Sequence, residues 1–442
     1  MKKPLMKSLL VAFSALLATS VAPLSSAQAN DTLGQKVQYD TKAPVNDGKD
    51  VSIQYWTWND GDPAIKLAES YQKLHPNVKI EVVNHPWDDY WTKLPLALQG
   101  SDGPAIFNIH NSQDKLLSSY LEAYDIPTED LKADFTGVEP HVVDGKVNYI
   151  DIVMNTGNIY YNKKMWQAAG LTDKDIPKTW DEFRQVAKKL TIKEGDNLVQ
   201  AGFNWNGSYA GLYQGLNYQK GTLLFQEDGT TPNYNNETTK ENLKFLVDLY
   251  EVDGVGSKDF GTDDTQSFGN QQSAMVYKWG WFANELKTKY PDVEYGVFAT
   301  PTFSKDQPFA YDRYNGESTP GINKNQSEEQ RKVAQDFLKY LLANDQYSLE
   351  AAKAYASYPT KNSVQEDKSL KSDPVLSVIA PRIKKLIWPG PFPATMETSA
   401  KKAAEEVLYN GVDLDSALEN AQRQMERDMR NESFKSLESA YQ

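Results

Sequence analysis

Strand-like and helix-like segments alternate from residue 51 onward, and at 442 residues the chain is too long for one small core. Together these two observations predict an α/β fold built as two lobes. The elements follow in order. Val51-Ser-Ile-Gln-Tyr-Trp56 alternates apolar and polar positions as a half-buried strand does. Asp62-Pro63 supplies an N-cap and an N1 proline for a helix that gathers Ala64, Ile65, Ala68, Tyr71 and Leu74 on one face. Val78 to Val83 is the next strand, Asp88 to Leu98 the next helix, and Ala105 to Ile109 a third strand. Strands separated by helices pair in parallel, so a parallel sheet is predicted.

Further along, Thr179-Trp-Asp-Glu182 is a capping box, opening a helix with Phe183, Val186, Ala187 and Leu190 on its apolar face. Ser327-Glu-Glu-Gln330 opens another that runs to Leu342. From Asp345 through Met429 the helical period dominates, with Gly411 separating two helices. Stretches 202–215, 227–236 and 311–321 are rich in Gly, Asn and aromatic residues and read as loops. Residues 30–49 are polar, carry Gly34, Pro44 and Gly48, and read as a flexible tether.

Residues 1–7 hold three lysines, residues 8–24 are apolar but broken by Ser14, Thr19, Ser20 and Pro23, and Ala27-Gln-Ala29 follows. This reads as a signal peptide of residues 1–29, cleaved after Ala29, rather than a membrane anchor. Export to a periplasm is the expected destination. The chain has no cysteine, which excludes disulfides, thiolate metal sites and a lipid-modified cysteine at the cleavage point. Loss of three lysines takes the formal charge from −13 to −16, which argues against nucleic acid and against an anionic membrane surface.

Met275-Val-Tyr-Lys-Trp-Gly-Trp281 places two indoles around a glycine after a strand-like run. An exposed indole suits the apolar face of a pyranose, whose hydroxyl edge needs planar amides and carboxylates; the alternative is a core strand ending in a turn. Four loops carry such side chains. They are Trp56 to Asp62, Ile109 to Ser112, Asn204 to Tyr209, and Tyr311 to Ser318. Helix capping by Asp62 leaves Trp58, Asn59 and Asp60 unexplained, whereas Asn111 or Ser112 serves equally well as a helix cap. Phosphate-binding glycine loops and a Gly-x-Ser-x-Gly elbow are absent, and the four histidines make no i, i+4 pair for zinc. Two carboxylates among Asp60, Asp88, Asp89 and Glu317 could in principle serve glycoside hydrolysis. Tyr160 and Tyr161 could be iron-binding phenolates, though the pattern favours packing along a strand.

Tyr160-Tyr-Asn-Lys-Lys-Met-Trp-Gln-Ala-Ala-Gly170, followed by Pro177-Lys-Thr-Trp-Asp-Glu-Phe183, resembles the hallmark of the extracellular solute-binding proteins of family 1. These are the maltose-binding-like receptors of ATP-binding-cassette importers. The resemblance continues through Phe268 to Met275, Trp279-Gly-Trp281, Tyr295 to Pro301, Gly321 to Lys324 and Tyr358 to Thr360. It implies a type II periplasmic-binding-protein fold with discontinuous lobes, residues 50–154 plus 299–344 and residues 155–298 plus 345–442, joined by a hinge. Crossings are expected near residues 154–156, 299 and 342–346. The ligand-binding set it implies is Trp58, Asn59, Asp60, Asn111, Ser112 and Asn155, together with Tyr209, Trp279, Trp281, Gly316, Glu317 and Ser318. An aspartate often stands at the position of Asn111 or Ser112, so its absence implies a hydroxyl pattern other than that of maltodextrin.

The expected function is delivery of an oligosaccharide to an importer by lobe closure, without catalysis, cofactor or metal. The expected partners are a sugar and membrane permease subunits, with no nucleic acid, no membrane insertion and a monomeric chain. A secreted glycoside hydrolase or lyase is the runner-up, and a sensor subunit using the same fold is a third reading.

Overall fold

Two sheets organise the chain, with helices packed on them as the alternating pattern predicts. The computed structural model describes residues 31–441 except 59–60, 111–112, 318, 392 and 431–433. The signal-peptide segment lies outside the described residues. The first sheet runs in the order Val78–Asn84, Val51–Thr57, Ile106–Ile109, Thr319–Asn323, Leu121–Glu122. Its first three strands are parallel, with Tyr55 opposite both Val82 and Ile106. Thr319–Asn323 then joins antiparallel to Ile106–Ile109 and to Leu121–Glu122. The sheet is therefore mixed, because one strand arrives from the far end of the sequence.

The second sheet is built on Val153–Asn162, a strand of ten residues, all buried. Val153 to Thr156 pair antiparallel with Glu317 to Tyr314, and Tyr358–Pro359 pairs alongside. Gly157 to Tyr161 pair with Met275–Trp279, and Asn158 to Asn162 pair with Tyr295–Ala299 on the other edge. Buried polar groups need partners, and this strand supplies them. Thr156 Oγ1 donates to the Arg313 carbonyl at 2.6 Å, and Arg382 Nη2 donates to Asn158 Oδ1 at 2.5 Å. Asn162 caps the helix Lys163–Ala168 by accepting from the Lys164 and Met165 amides. Gly157 has no room for a side chain: a Cβ there would lie 2.1 Å from the Tyr277 hydroxyl.

The capping box at Thr179 and the serine cap at Ser327 form as read. Thr179 and Glu182 bond each other's backbone N–H at the start of Trp180–Leu190, and the Gln330 amide donates to Ser327 Oγ at the start of Glu328–Ala343. Gly411 ends Thr395–Asn410 with a left-handed φ of 64°. Other readings are corrected. Residues 311–321 are not a loop but the strands Asp312–Glu317 and Thr319–Asn323, and the helix Tyr209–Gln219 begins inside the 202–215 stretch. Tyr295–Ala299 pairs in the second sheet, and Thr319–Asn323 pairs in the first. Asp62 lies in the first turn of Gly61–Leu74 rather than ahead of it. The C-terminal third is interrupted by the short strands Tyr358–Pro359 and Leu386–Ile387.

Residues 32–49 do not hang free. Val37, Tyr39 and Val45 are buried in the main core with Tyr71, Phe337 and Tyr340. The Asp134 carboxylate accepts from the Lys36 and Val37 amides at 2.9 and 2.8 Å. The Tyr39 hydroxyl donates to Asp336 at 2.9 Å and stands 2.6 Å from His75 Nε2. Polar composition concealed three apolar anchors spaced too irregularly for either period. Burial of each such side chain stabilises by about 1.5–3 kcal/mol. Deleting residues 31–45 should therefore lower the urea midpoint by an amount equivalent to several kcal/mol, measured by circular dichroism; a true tether could be removed without effect.

Candidate functional site

A cavity of about 950 Å³ opens between the strand ends of the two sheets. That is at the large end of the range for small-molecule clefts, roughly 300–1,000 Å³. One wall comes from the loop after Val51–Thr57 and the start of the helix Trp87–Ala97. There Trp58 packs edge-on against Trp87 at 5.5 Å and Tyr90 at 5.1 Å, with Trp91 tilted at 5.2 Å and His110 behind. Four neighbouring aromatics lock the Trp58 ring, and Trp87 remains exposed. The opposite wall holds Trp279 and Trp281, with Tyr277 and the helix start at Ser208, Ala210 and Gly211. Amide N–H groups at such a helix start suit hydroxyl acceptors.

The Trp279-Gly280-Trp281 turn is fixed from beneath. Met275–Trp279 ends there and Trp281 N-caps the helix Phe282–Lys289. The Gly280 amide donates to Asn155 Oδ1 at 2.7 Å, and the Tyr160 hydroxyl lies 3.2 Å from the carbonyls of Trp279 and Gly280. A Cβ on Gly280 would lie 2.1 Å from the Ala356 carbonyl oxygen, so only glycine allows this approach. Trp279 is half-buried with the Arg313 guanidinium stacked 4.7 Å from its ring. Trp281 is 44% exposed and offers the more open indole face.

Polar groups line the floor. Asn155, Asn315 and Glu317 come from the paired strands Val153–Asn162 and Asp312–Glu317. Arg313 Nη1 donates to Asn315 Oδ1 at 3.0 Å and Nη2 donates to Glu397 Oε1 at 2.6 Å. Lys278 Nζ pairs with Asp264 Oδ1 at 2.5 Å; burial raises the Asp264 carboxyl above its usual range, against the pull of Lys278. Burial, with the Arg313 charge adding to it, lowers His110 to about 4, so its imidazole is neutral at pH 7. Behind the floor, burial raises Asp312 to about 6 while the Tyr277 hydroxyl donates to it at 2.7 Å.

Of the residues expected from sequence, Trp58, Asn155, Trp279, Trp281 and Glu317 come together around this cavity. Asn59, Asp60, Asn111, Ser112 and Ser318 lie outside the described residues. Two expectations are corrected. Tyr209 is buried, stacked on Tyr213 and hydrogen-bonded to Tyr234, because the helix turns it into the core. Gly316 faces Asp151 instead, where a Cβ would lie 1.6 Å from Oδ1. Asp88 and Asp89 sit on an exposed helix face, with Asp89 paired to Lys93. Tyr160 and Tyr161 pack along their strand against Phe282 and Trp166. Sequence reading missed Trp87 and Glu397, and did not single out His110, Arg313 and Asn315 within the runs 109–112 and 311–318 that it named.

A two-sheet α/β molecule with an aromatic cleft at its strand ends is the architecture of a solute receptor. Residues 55–348, more than half of the chain, match the sequence model of the bacterial extracellular solute-binding proteins, and the chain belongs to that family. A binding protein of Brucella abortus is 25% identical over 249 residues, which span 53% of this chain and 59% of that relative's length. The maltotriose-binding protein of Pyrococcus abyssi is 24% identical over 372 residues, 78% of each chain. The crystal structure of the cyclic α-maltosyl-1,6-maltose binding protein from Arthrobacter globiformis superposes with a TM-score of 0.70 at 20% identity, covering 87% of this chain and all of that one. The fold is thus the two-lobed, maltose-binding-like type. Among the described residues no helix is long and apolar enough to cross a membrane.

His110 generates a pH prediction. Its folded value of about 4 lies below the roughly 6.5 of an unfolded histidine, so the unfolded state binds the extra proton in that window. Stability is therefore lost as pH falls from about 6.5 toward 4. Asp312, raised by burial, acts with the opposite sign. His110→Asn removes the acid-side loss and leaves Asp312 uncompensated, so the urea midpoint of the variant should rise relative to the wild type as pH falls through this window; an unchanged slope would mean that the imidazole is not shielded as described.

Proposed function

We propose that this chain is an exported carbohydrate receptor that binds an oligosaccharide in the cleft and, by lobe closure, delivers it to an ATP-binding-cassette importer. One observation carries the reading. Trp58 and Trp87 on one wall oppose Trp279 and Trp281 on the other, above a floor of amides and carboxylates, Asn155, Asn315 and Glu317. Indole plates take the apolar C–H faces of pyranoses, and planar amide and carboxylate groups replace water around hydroxyls. The relative from Pyrococcus abyssi, named for maltotriose, supports the same class of ligand. Asn59, Asp60, Asn111, Ser112 and Ser318 complete the proposed contact set on the strength of the sequence resemblance.

In this reading the lobes are residues 50–154 plus 299–344 and residues 155–298 plus 345–442. The signal is cleaved after Ala29, and the mature chain works in the periplasm as a monomer, presenting its closed form to the permease without chemistry of its own. A ligand touching both walls biases closure through contacts made only in the closed form. Asn155 serves by holding the Gly280 turn as well as by facing the cleft.

Titration calorimetry against a panel of neutral oligosaccharides, with product analysis of the same mixtures, tests the assignment. Stoichiometric binding without product is expected, and turnover would favour a glycoside hydrolase. Trp281→Ala should cost about 2 kcal/mol, about thirtyfold in affinity, at roughly 25 cal/mol per Å² of covered apolar surface. Unchanged affinity in a folded variant would remove Trp281 from the site. The bound sugar should also reduce the radius of gyration in solution scattering; an unaltered curve at saturation would refute closure.

A further inference from the structure

A guanidinium in a cleft otherwise suited to neutral hydroxyls needs a reason. Arg313 is 8% exposed at its side chain and held on three sides, by Glu397, by Asn315 and by the Trp279 ring. Glu397 comes from elsewhere in the chain, in the first turn of the sixteen-residue helix Thr395–Asn410. Arg313 and Glu397 both line the cavity, and Glu317 adds a second carboxylate to the same floor. The other lining cation, Lys278, is matched by Asp264 and hydrogen-bonded to Ser208 Oγ at 3.3 Å.

We propose that the Arg313–Glu397 pair is a specificity-determining charge filter, which makes the cleft select neutral sugars and reject their uronate counterparts. Arginine is the side chain best shaped to grip a carboxylate through two parallel N–H bonds. Glu397 and Asn315 between them engage its two terminal nitrogens, one each. An incoming uronate has to displace Glu397 and then share the floor with two carboxylates, a like-charge repulsion that salt weakens because Glu397 is half exposed. A neutral sugar meets the pair as donors and acceptors set side by side, matching a hydroxyl that both accepts and donates. The filter thus works by building a penalty against the wrong ligand.

This inference rests on the carbohydrate reading above, and the experiment separates the two. Neutral di- and trisaccharides and their 6-carboxy counterparts are screened by thermal shift. The tightest neutral binder and its uronate are then titrated by calorimetry into the wild type, E397Q and R313Q. The wild type should prefer the neutral sugar. E397Q should move the affinity ratio about tenfold toward the uronate, because a charge-assisted bond becomes available to it. R313Q should move the ratio the other way, since Glu397 then faces the ligand without its cation. Ratios unchanged in both variants, or shifted in the same direction, would overturn the filter while leaving the receptor assignment standing. If E397Q does not fold, R313Q alone decides by the direction of its shift. No binding of any neutral sugar to the wild type would sink the carbohydrate reading, and the filter with it.

Discussion

The hydrogen bonding of Val153–Asn162 is the constraint on which the rest of the structure depends. Four strands pair with this one segment, two at each half, and none of its residues reaches solvent. Its N-terminal half pairs with the strand that leads directly into the first sheet, and its C-terminal half pairs with the strand that ends in the tryptophan turn. A polar group left unpaired in such a place would cost about 1–3 kcal/mol, so Asn155, Thr156, Asn158 and Asn162 each have a defined partner. Those partners lie on separate elements: the aromatic turn, the neighbouring strand, a distant arginine and the following helix. Packing and the geometry of the cleft are thereby set by the same side chains.

The leading strands and the two helix caps were legible because their signals are local. Val51, Ile53 and Tyr55 alternate with more exposed positions, and Thr179 with Glu182 satisfies N–H groups within one turn. Asp312–Glu317 was not legible for the opposite reason. Asp-Arg-Tyr-Asn-Gly-Glu has the composition of a loop, but its backbone pairs with Val153–Asn162 while Arg313, Asn315 and Glu317 line the cavity. Polar residues in a strand mark a cleft-lining edge, which single-sequence periodicity cannot distinguish from a turn. The N-terminal segment misled in the same way, since Val37, Tyr39 and Val45 bury themselves without a repeat.

In the site, the aromatic turn and Asn155 were readable, while Glu397 was not. Nothing near Glu397 in sequence signals a site; only the placement of a helix start beside Arg313 brings it to the cleft. Trp87 was hidden by its position at a helix start, where it reads as part of an amphipathic surface. Tyr209 illustrates the reverse error, an aromatic in a polar loop sequence that the helix carries inward to Tyr213 and Tyr234. Electrostatics in the cleft follow from burial: His110 loses its proton, and Lys278 and Arg313 each stand beside a carboxylate.

The closeness of Gly280 to the Ala356 carbonyl has a consequence for engineering. Because the turn has no space for any side chain, its backbone path cannot be redrawn without moving the segment after Asp345–Ala354. Variation in that wall is therefore confined to the indoles themselves. A library aimed at new specificities would do best to diversify positions 279 and 281 and to hold position 280 constant, treating the turn as a rigid socket into which different plates can be fitted.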